Sequence, residues 1–306
     1  MSGMYVRFGG VHVEFSSKHL RLPAAALILL LFVFHIEAII EGIRSALVVC
    51  AVSIVPSLFL FLVLSDLIVS ALLSDGGKIT SPKYTAFLLG ALCGFPTGAV
   101  VCERLCQSGV LDPKDAEHLL PLCNSVSPAF AIGAIGVSML GDMRLGILLY
   151  GSQLLASLLL LLPLRVPVHN GKTTAQSFSF SEMFFAAVEK SIGSILRICA
   201  LICLFSALLS ILRVYCGETA YTLLAALLEI GSGSNAAAAL YTTAPKLSLA
   251  LCAFACGWSG ICVHFQIFSV LKSIKVNTFK FVLYKGLLGL LSTAFTTIGY
   301  KLFFCP

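Results

Sequence analysis

Glu229 lies in "LLAALLEIGSG", where a carboxylate is surrounded by apolar residues. A charge in such a setting is costly and usually faces a cavity, an ion or a partner. The chemistry open to Glu229 is binding of a coupling cation or relay of a proton, the plainer alternative being an acid snorkelling from a helix end. Just after it, Ser232, Ser234 and Asn235 open the small-residue run "NAAAAL". The free N–H groups of a helix starting there would suit an anion or a carbonyl-rich ligand, or a simple capping turn. Asn124, Ser125 and Ser127 stand beside Pro128 and can either hydrogen-bond a polar ligand or satisfy the backbone groups that the proline frees. His264 and Gln266 follow Ser259 in "GWSGICVHFQI"; His264 can titrate near neutral pH, pair with Glu229, or bridge two helices. Thr97 sits in "GFPTG", a polar tip within another apolar run.

No catalytic pattern accompanies these residues. HExxH, GxSxG and paired-aspartate arrangements are absent, as is a GxxxxGK[ST] phosphate loop, so neither an enzyme nor ATP-driven transport within this chain is expected. No cofactor and no metal site is expected. Cysteine pairs such as Cys102/Cys106, Cys199/Cys203 and Cys252/Cys256 have the i,i+4 spacing of a metal clamp, but buried thiols usually act as small apolar filler.

The elements that hold these groups must cross a bilayer. Hydrophobic residues make up 58% of the 306 residues and charged ones 11%, too little polar surface to coat a soluble globule. Seven apolar runs approach or exceed the roughly 20 residues of a membrane span: 22–40, 44–73, 120–140, 145–164, 186–212, 246–271 and 279–300. Two shorter ones lie at 86–103 and 219–240. The segment "LDPKDAEHLLPLC" reads as a helix on the membrane surface, capped by Asp112 with Pro113 in its first turn.

The net charge of +6 is spread over loops, which argues for topology and against nucleic acid binding. Four basic groups mark the cytoplasmic side: Arg7, Lys18 and Arg21; Lys78 and Lys83; Arg165 and Lys172; Lys272, Lys275 and Lys280. They can share one side only if 86–103 and 219–240 each return to the face they entered, as re-entrant hairpins. Glu103, Arg104 and Asp66 are then expected near the interface, and His35 and Glu37 at the periphery.

A shift of about 134 residues carries the interruption at Pro96 to Ile230–Gly231, and Asn124 to Trp258. The loop Asp142–Arg144 would then lie outside and its counterpart 272–280 inside, so the halves run in opposite directions. The expected fold is all-α: a polytopic membrane protein with two inverted-topology repeats, broken helices and two re-entrant hairpins. Such repeats build solute sites of secondary transporters near the bilayer midplane. The expected structural breaks are Gly94, Pro96 and Gly98; Pro128; Gly231 and Gly233; and Gly257 and Gly260.

In order along the chain, "VPSLFLFLVLSDLI", "GFPTGA", "LCNSVSPAFAIGAIG" and "GWSGICVHFQI" resemble the motifs of the YlbJ-type sporulation integral membrane proteins, which carry the nucleoside-recognition or Gate domain. The resemblance covers roughly residues 44 to 300, and departs from the family where Trp258 stands at an expected smaller residue. It implies a multi-pass protein of the bacterial cytoplasmic membrane, needed for spore cortex formation, with a transport role of unassigned substrate. The divisions expected are 1–43, an N-terminal segment with the first helix; 44–164, a first Gate-like repeat; 165–185, a cytoplasmic linker; and 186–306, a second, inverted repeat. The N-terminus is expected in the cytoplasm and the C-terminus outside. The expected function is a permease moving an unidentified small polar solute, with or without a coupling proton or cation. Its alternative is a non-transporting scaffold or partner subunit of spore envelope assembly. Partners are the lipid bilayer and the solute, with self-association into a homo-oligomer left open.

Overall fold

The computed structural model describes residues 30, 32–74, 79, 81–169 and 179–304. The start of the 22–40 run and the basic residues Arg7, Lys18, Arg21, Lys78 and Lys172 lie outside the described residues. Among the described residues the chain is helical throughout, with no strand.

A continuous rod comes first: α1 (Ile36–Val49), a π-helical turn (Cys50–Ile54) and α2 (Val55–Ser74). A paired unit follows, α3 (Pro82–Cys93) and α4 (Thr97–Gln107), then α5 (Pro113–Cys123), the π-helix Ala129–Met139 and α6 (Met143–Leu161). The second half consists of α7 (Phe180–Tyr215), the pair α8 (Glu218–Leu228) and α9 (Ile230–Ala239), α10 (Pro245–Trp258), α11 (Gly260–Val270) and α12 (Thr278–Phe303). Local signals explain several starts. Ser179 and Glu182 form a reciprocal capping box on α7, Asp112 caps α5, Asp142 caps α6 and Asn277 caps α12. Outside the apolar helices, hydrogen bonds from the Arg144 side chain and backbone hold the Asp142 carboxyl below its usual range.

Among the described residues four helical stretches are long and apolar enough to cross a membrane: Met143–Leu161, Phe180–Tyr215, Pro245–Val270 and Thr278–Phe303. They coincide with four of the seven expected spans. Around them large apolar side chains such as Leu155, Leu159, Leu196, Leu204, Leu283 and Leu290 are exposed, the surface that lipid rather than water would cover. The main core joins α3, α5, the second π-helix, α6, α10 and α12, while a smaller one packs α1 and α2 on α7.

The 120–140 run is interrupted near the expected break at Pro128: helix α5 stops at Cys123 and the next helix starts only after Pro128. One expectation needs correction. The segment 112–123 does not lie on a surface: Ala116, Leu119, Leu120, Leu122 and Cys123 are fully packed inside the protein. Its polar first turn is the end that emerges, and its apolar second turn is the first half of the broken helix.

Candidate functional site

Each interruption ends one helix and starts another, and each broken long helix is set against the tip of a helix pair. In the first unit α3 packs along α4, and both pack on α5. Gly94, at φ +81°, reverses the chain, the Phe95–Pro96 bond is cis, and α4 starts at Thr97. Contact with α5 is at backbone distance. A Cβ at Gly90 would lie 1.7 Å from the Cys123 carbonyl oxygen, and one at Gly98 only 2.0 Å from it. Only glycine permits that approach.

The non-helical stretch Asn124–Ser127 leaves backbone groups that must be paired. Asn124 does much of this. Its Oδ1 accepts from the Ala99 N–H at 3.0 Å, near the start of α4, and its Nδ2 donates to the Leu120 carbonyl at 2.7 Å. Its own carbonyl accepts from the Lys285 ammonium of α12 at 3.1 Å, and the Val126 N–H donates to Gln153 Oε1 of α6 at 3.3 Å. Ser127 Oγ accepts from the Phe130 N–H, and Pro128 precedes the π-helix as its cap. Ser125 is buried, and so is Thr97, whose hydroxyl has no hydrogen-bond partner.

The second unit has the same parts. Helix α8 packs along α9, and the turn between them is a single residue, Glu229, which ends one helix and caps the other. The residue is 7% exposed, and its carboxylate accepts from the N–H groups of Gly231 at 2.8 Å and Ser232 at 2.6 Å. The break falls at Glu229, one residue ahead of the expected Ile230–Gly231. In α10–α11 it falls at Ser259 and Gly260, both left-handed at φ 71° and 79°. Gly260 fits against the α8–α9 tip, where a Cβ would meet Ile230 N and the Leu228 carbonyl oxygen at 3.1 Å. Gly257 lets α10 approach the α12 backbone at Gly289, and Gly233 does so for α9 on Ala226.

Trp258 is accommodated because its indole N–H donates to the Leu227 carbonyl at 2.9 Å. His264 Nε2 donates to the Trp258 carbonyl at 2.9 Å, and its ring packs edge-on to Trp258 and Phe281. Of the alternatives open to His264, the pair with Glu229 is not formed; both residues serve backbone groups of the break. Gln266 is buried against Cys262, Ser259 Oγ donates to the Cys256 carbonyl, and Ser234 is buried with an unpartnered hydroxyl. Asn235 is exposed on the other side of α9.

The structure thus brings Thr97, Asn124, Ser125 and Ser127 together at the first break, and Glu229, Ser232, Ser259 and His264 at the second. Sequence reasoning misses Lys285 and Gln153. For Lys285 the signal exists: a lysine inside an apolar span, on the same helical face as Gly289, Ser292 and Thr296.

Of the charges expected near the interface, Glu103 and Asp66 are buried within the protein, Arg104 is partly buried, and each has a partner. Glu103 accepts from the Ser273 N–H at 2.9 and 3.1 Å and from Gln107 at 2.8 Å. Asp66, 4% exposed, pairs with Arg104, and Lys190 lies 3.7 Å away. Arg104→Ala is expected to lower stability by about 1–2 kcal/mol, because Lys190 alone then faces the buried carboxylate. Adding Asp66→Asn should restore part of the loss in thermal unfolding; an additive double variant would remove the pairing argument.

No family model and no solved structure matches the chain. The chain is similar to the sporulation integral membrane protein YlbJ of Bacillus subtilis (strain 168), at 23% identity over 322 residues, covering 87% of this chain and 79% of the relative. The resemblance read from the four motifs is borne out over most of both chains. The helices of membrane-spanning length among the described residues, the apolar exterior and this similarity make the chain a helical membrane protein resembling the YlbJ-type sporulation integral membrane proteins.

Proposed function

We propose that this protein is a permease of the Gate type that moves a small polar solute across the cytoplasmic membrane and is needed during sporulation. The observation that carries the reading is the repeated unit itself: a helix pair whose tip is fitted against a broken helix, present once in each half. In support, the starts of α3, α4, α5, the π-helix and α6 recur as those of α8, α9, α10, α11 and α12 after about 134 residues. We read the units 44–164 and 186–306 as inverted repeats joined by a cytoplasmic linker at 165–185, the helix pairs as re-entrant hairpins, and the N-terminus as cytoplasmic with the C-terminus outside. Buried hydroxyls without partners at Thr97 and Ser234, one on each second hairpin helix, supply free hydrogen-bonding groups for a solute. Asn124, Ser125, Ser127, Glu229, Ser232, Ser259, His264 and Gln266 line the breaks beside them. Asn235, being exposed, has no place in this site.

The test is a thermal-shift screen of the purified full chain with nucleosides, amino acids, peptidoglycan precursors and metal ions. One class is expected to raise the melting temperature of the unaltered chain, and to do so much less for Thr97→Val with Ser234→Ala. A second reading has its own support. The Asn124 side chain and the Glu229 carboxylate are both engaged by backbone groups, as they would be in a scaffold whose breaks serve packing alone. That reading wins if no class stabilises the protein and water-soluble thiol reagents fail to reach cysteines placed at 97, 125 and 232.

A further inference from the structure

Among the described residues Lys285 is the largest of the fully buried side chains, at 1% exposure, about two turns into the apolar helix α12. Burying an ammonium costs several kcal/mol after relaxation, and a counter-charge usually offsets it. Among the described residues Lys285 forms no ion pair. Its ammonium donates to the carbonyl of Asn124, the residue that ends α5 with non-helical φ −106° and ψ 77°. The charged and titratable groups within its electrostatic reach are Cys123 of α5, Cys256 of α10 and His264 of α11, none of them a carboxylate.

What faces the ammonium is therefore the negative end of a half-helix and an unwound carbonyl. These are the groups with which broken membrane helices bind monovalent cations. We infer that the first break is a cation site of which Lys285 is the permanent occupant, its tethered ammonium standing where a free alkali ion would otherwise bind at the end of α5. The geometry at the second break is consistent: there the carbonyl of Trp258, about 134 residues after Asn124, receives a ring N–H from His264. Both unwound carbonyls are served by a side chain of this protein. On the same face of α12 as Lys285, at i+7 and i+11, Ser292 and Thr296 carry buried hydroxyls without partners, a polar line leading away from the ammonium.

For the proposed permease this means that no alkali ion is required at that position, a consequence that rests on the transport reading. The site itself is testable without transport, so failure of one is separable from failure of the other. Thermal unfolding of the full chain in detergent is the measurement. Lys285→Ala removes the stem and the charge together, and ethylammonium chloride at tens of millimolar is expected to raise its melting temperature by about 5 °C more than choline chloride at equal ionic strength. Lys285→Met fills the space with an apolar stem and should show no such preference. Equal responses of Lys285→Ala to the two salts, or the same ethylammonium preference in Lys285→Met, overturn the inference. Should Lys285→Ala fail to fold, the unaltered chain decides. Its melting temperatures in sodium, potassium, lithium and choline chlorides should coincide, and stabilisation by one alkali ion by more than about 5 °C would reveal an open cation position.

Discussion

Gly90→Ala is expected to abolish most of the folded protein. A single methyl group there would lie 1.7 Å from the carbonyl oxygen of Cys123, and the obstacle is backbone, which cannot rotate aside. Overpacking a tight core typically costs 1–3 kcal/mol, and with no flexible neighbour the cost here should be about 3 kcal/mol or more. The same methyl at Gly133, in the π-helix Ala129–Met139, meets nothing within 4 Å. Gly133→Ala should therefore be neutral or stabilising by about 0.5–1 kcal/mol, since glycine is entropically costly in a helix. Yield of monodisperse protein and melting temperature, compared between the two variants, check both statements. A Gly90→Ala protein as stable as the Gly133→Ala protein would mean that α3 and α5 do not meet as described.

Glu229→Ala comes next in size. It leaves the N–H groups of Gly231 and Ser232 without their charged acceptor in a largely buried turn. Charge-assisted hydrogen bonds and the penalty for unsatisfied donors together set the loss at about 2–4 kcal/mol. Glu229→Gln keeps one carbonyl oxygen for one of the two donors and should lose roughly half as much. Thermal unfolding of the two variants separates them. If Glu229→Ala melts with the unaltered chain, the carboxylate is no cap, and a bound cation or proton becomes its main business. The opposite pattern, a stable Glu229→Gln that no longer responds to a stabilising solute, would assign it both tasks.

How far the sequence reveals this arrangement depends on whether a signal is local. Gly94, Pro96, Pro128 and Gly260 each act on their own backbone through a fixed φ, a missing N–H or a positive φ, so the places where helices stop can be read from residue types. Span length is likewise local, and 145–164, 186–212, 246–271 and 279–300 needed only a run of apolar residues. Partners distant in the chain leave no such mark. Glu103 reads as an acid near the membrane interface, and nothing close to it in sequence predicts its partner, the Ser273 N–H, 170 residues on. Helix α5 misleads for a related reason: an acidic first turn followed by leucines describes equally a helix lying on a membrane and one thrust into a protein core. Lys285 shows the converse. Its cost in an apolar span is visible in the sequence, while the carbonyl that receives it is visible only in the fold.

The loop ahead of α12 carries a mechanical consequence. Glu103 from α4 and Glu117 from α5 grip it, the first through the Ser273 N–H and the second through the Asn277 N–H at 2.9 Å. Both clamps reach across from the first half of the chain to the root of the last helix. Any rocking of one half against the other would have to break these two clamps or carry α12 along with the first half, to which the approach of Gly299 to Leu148 also ties its far end.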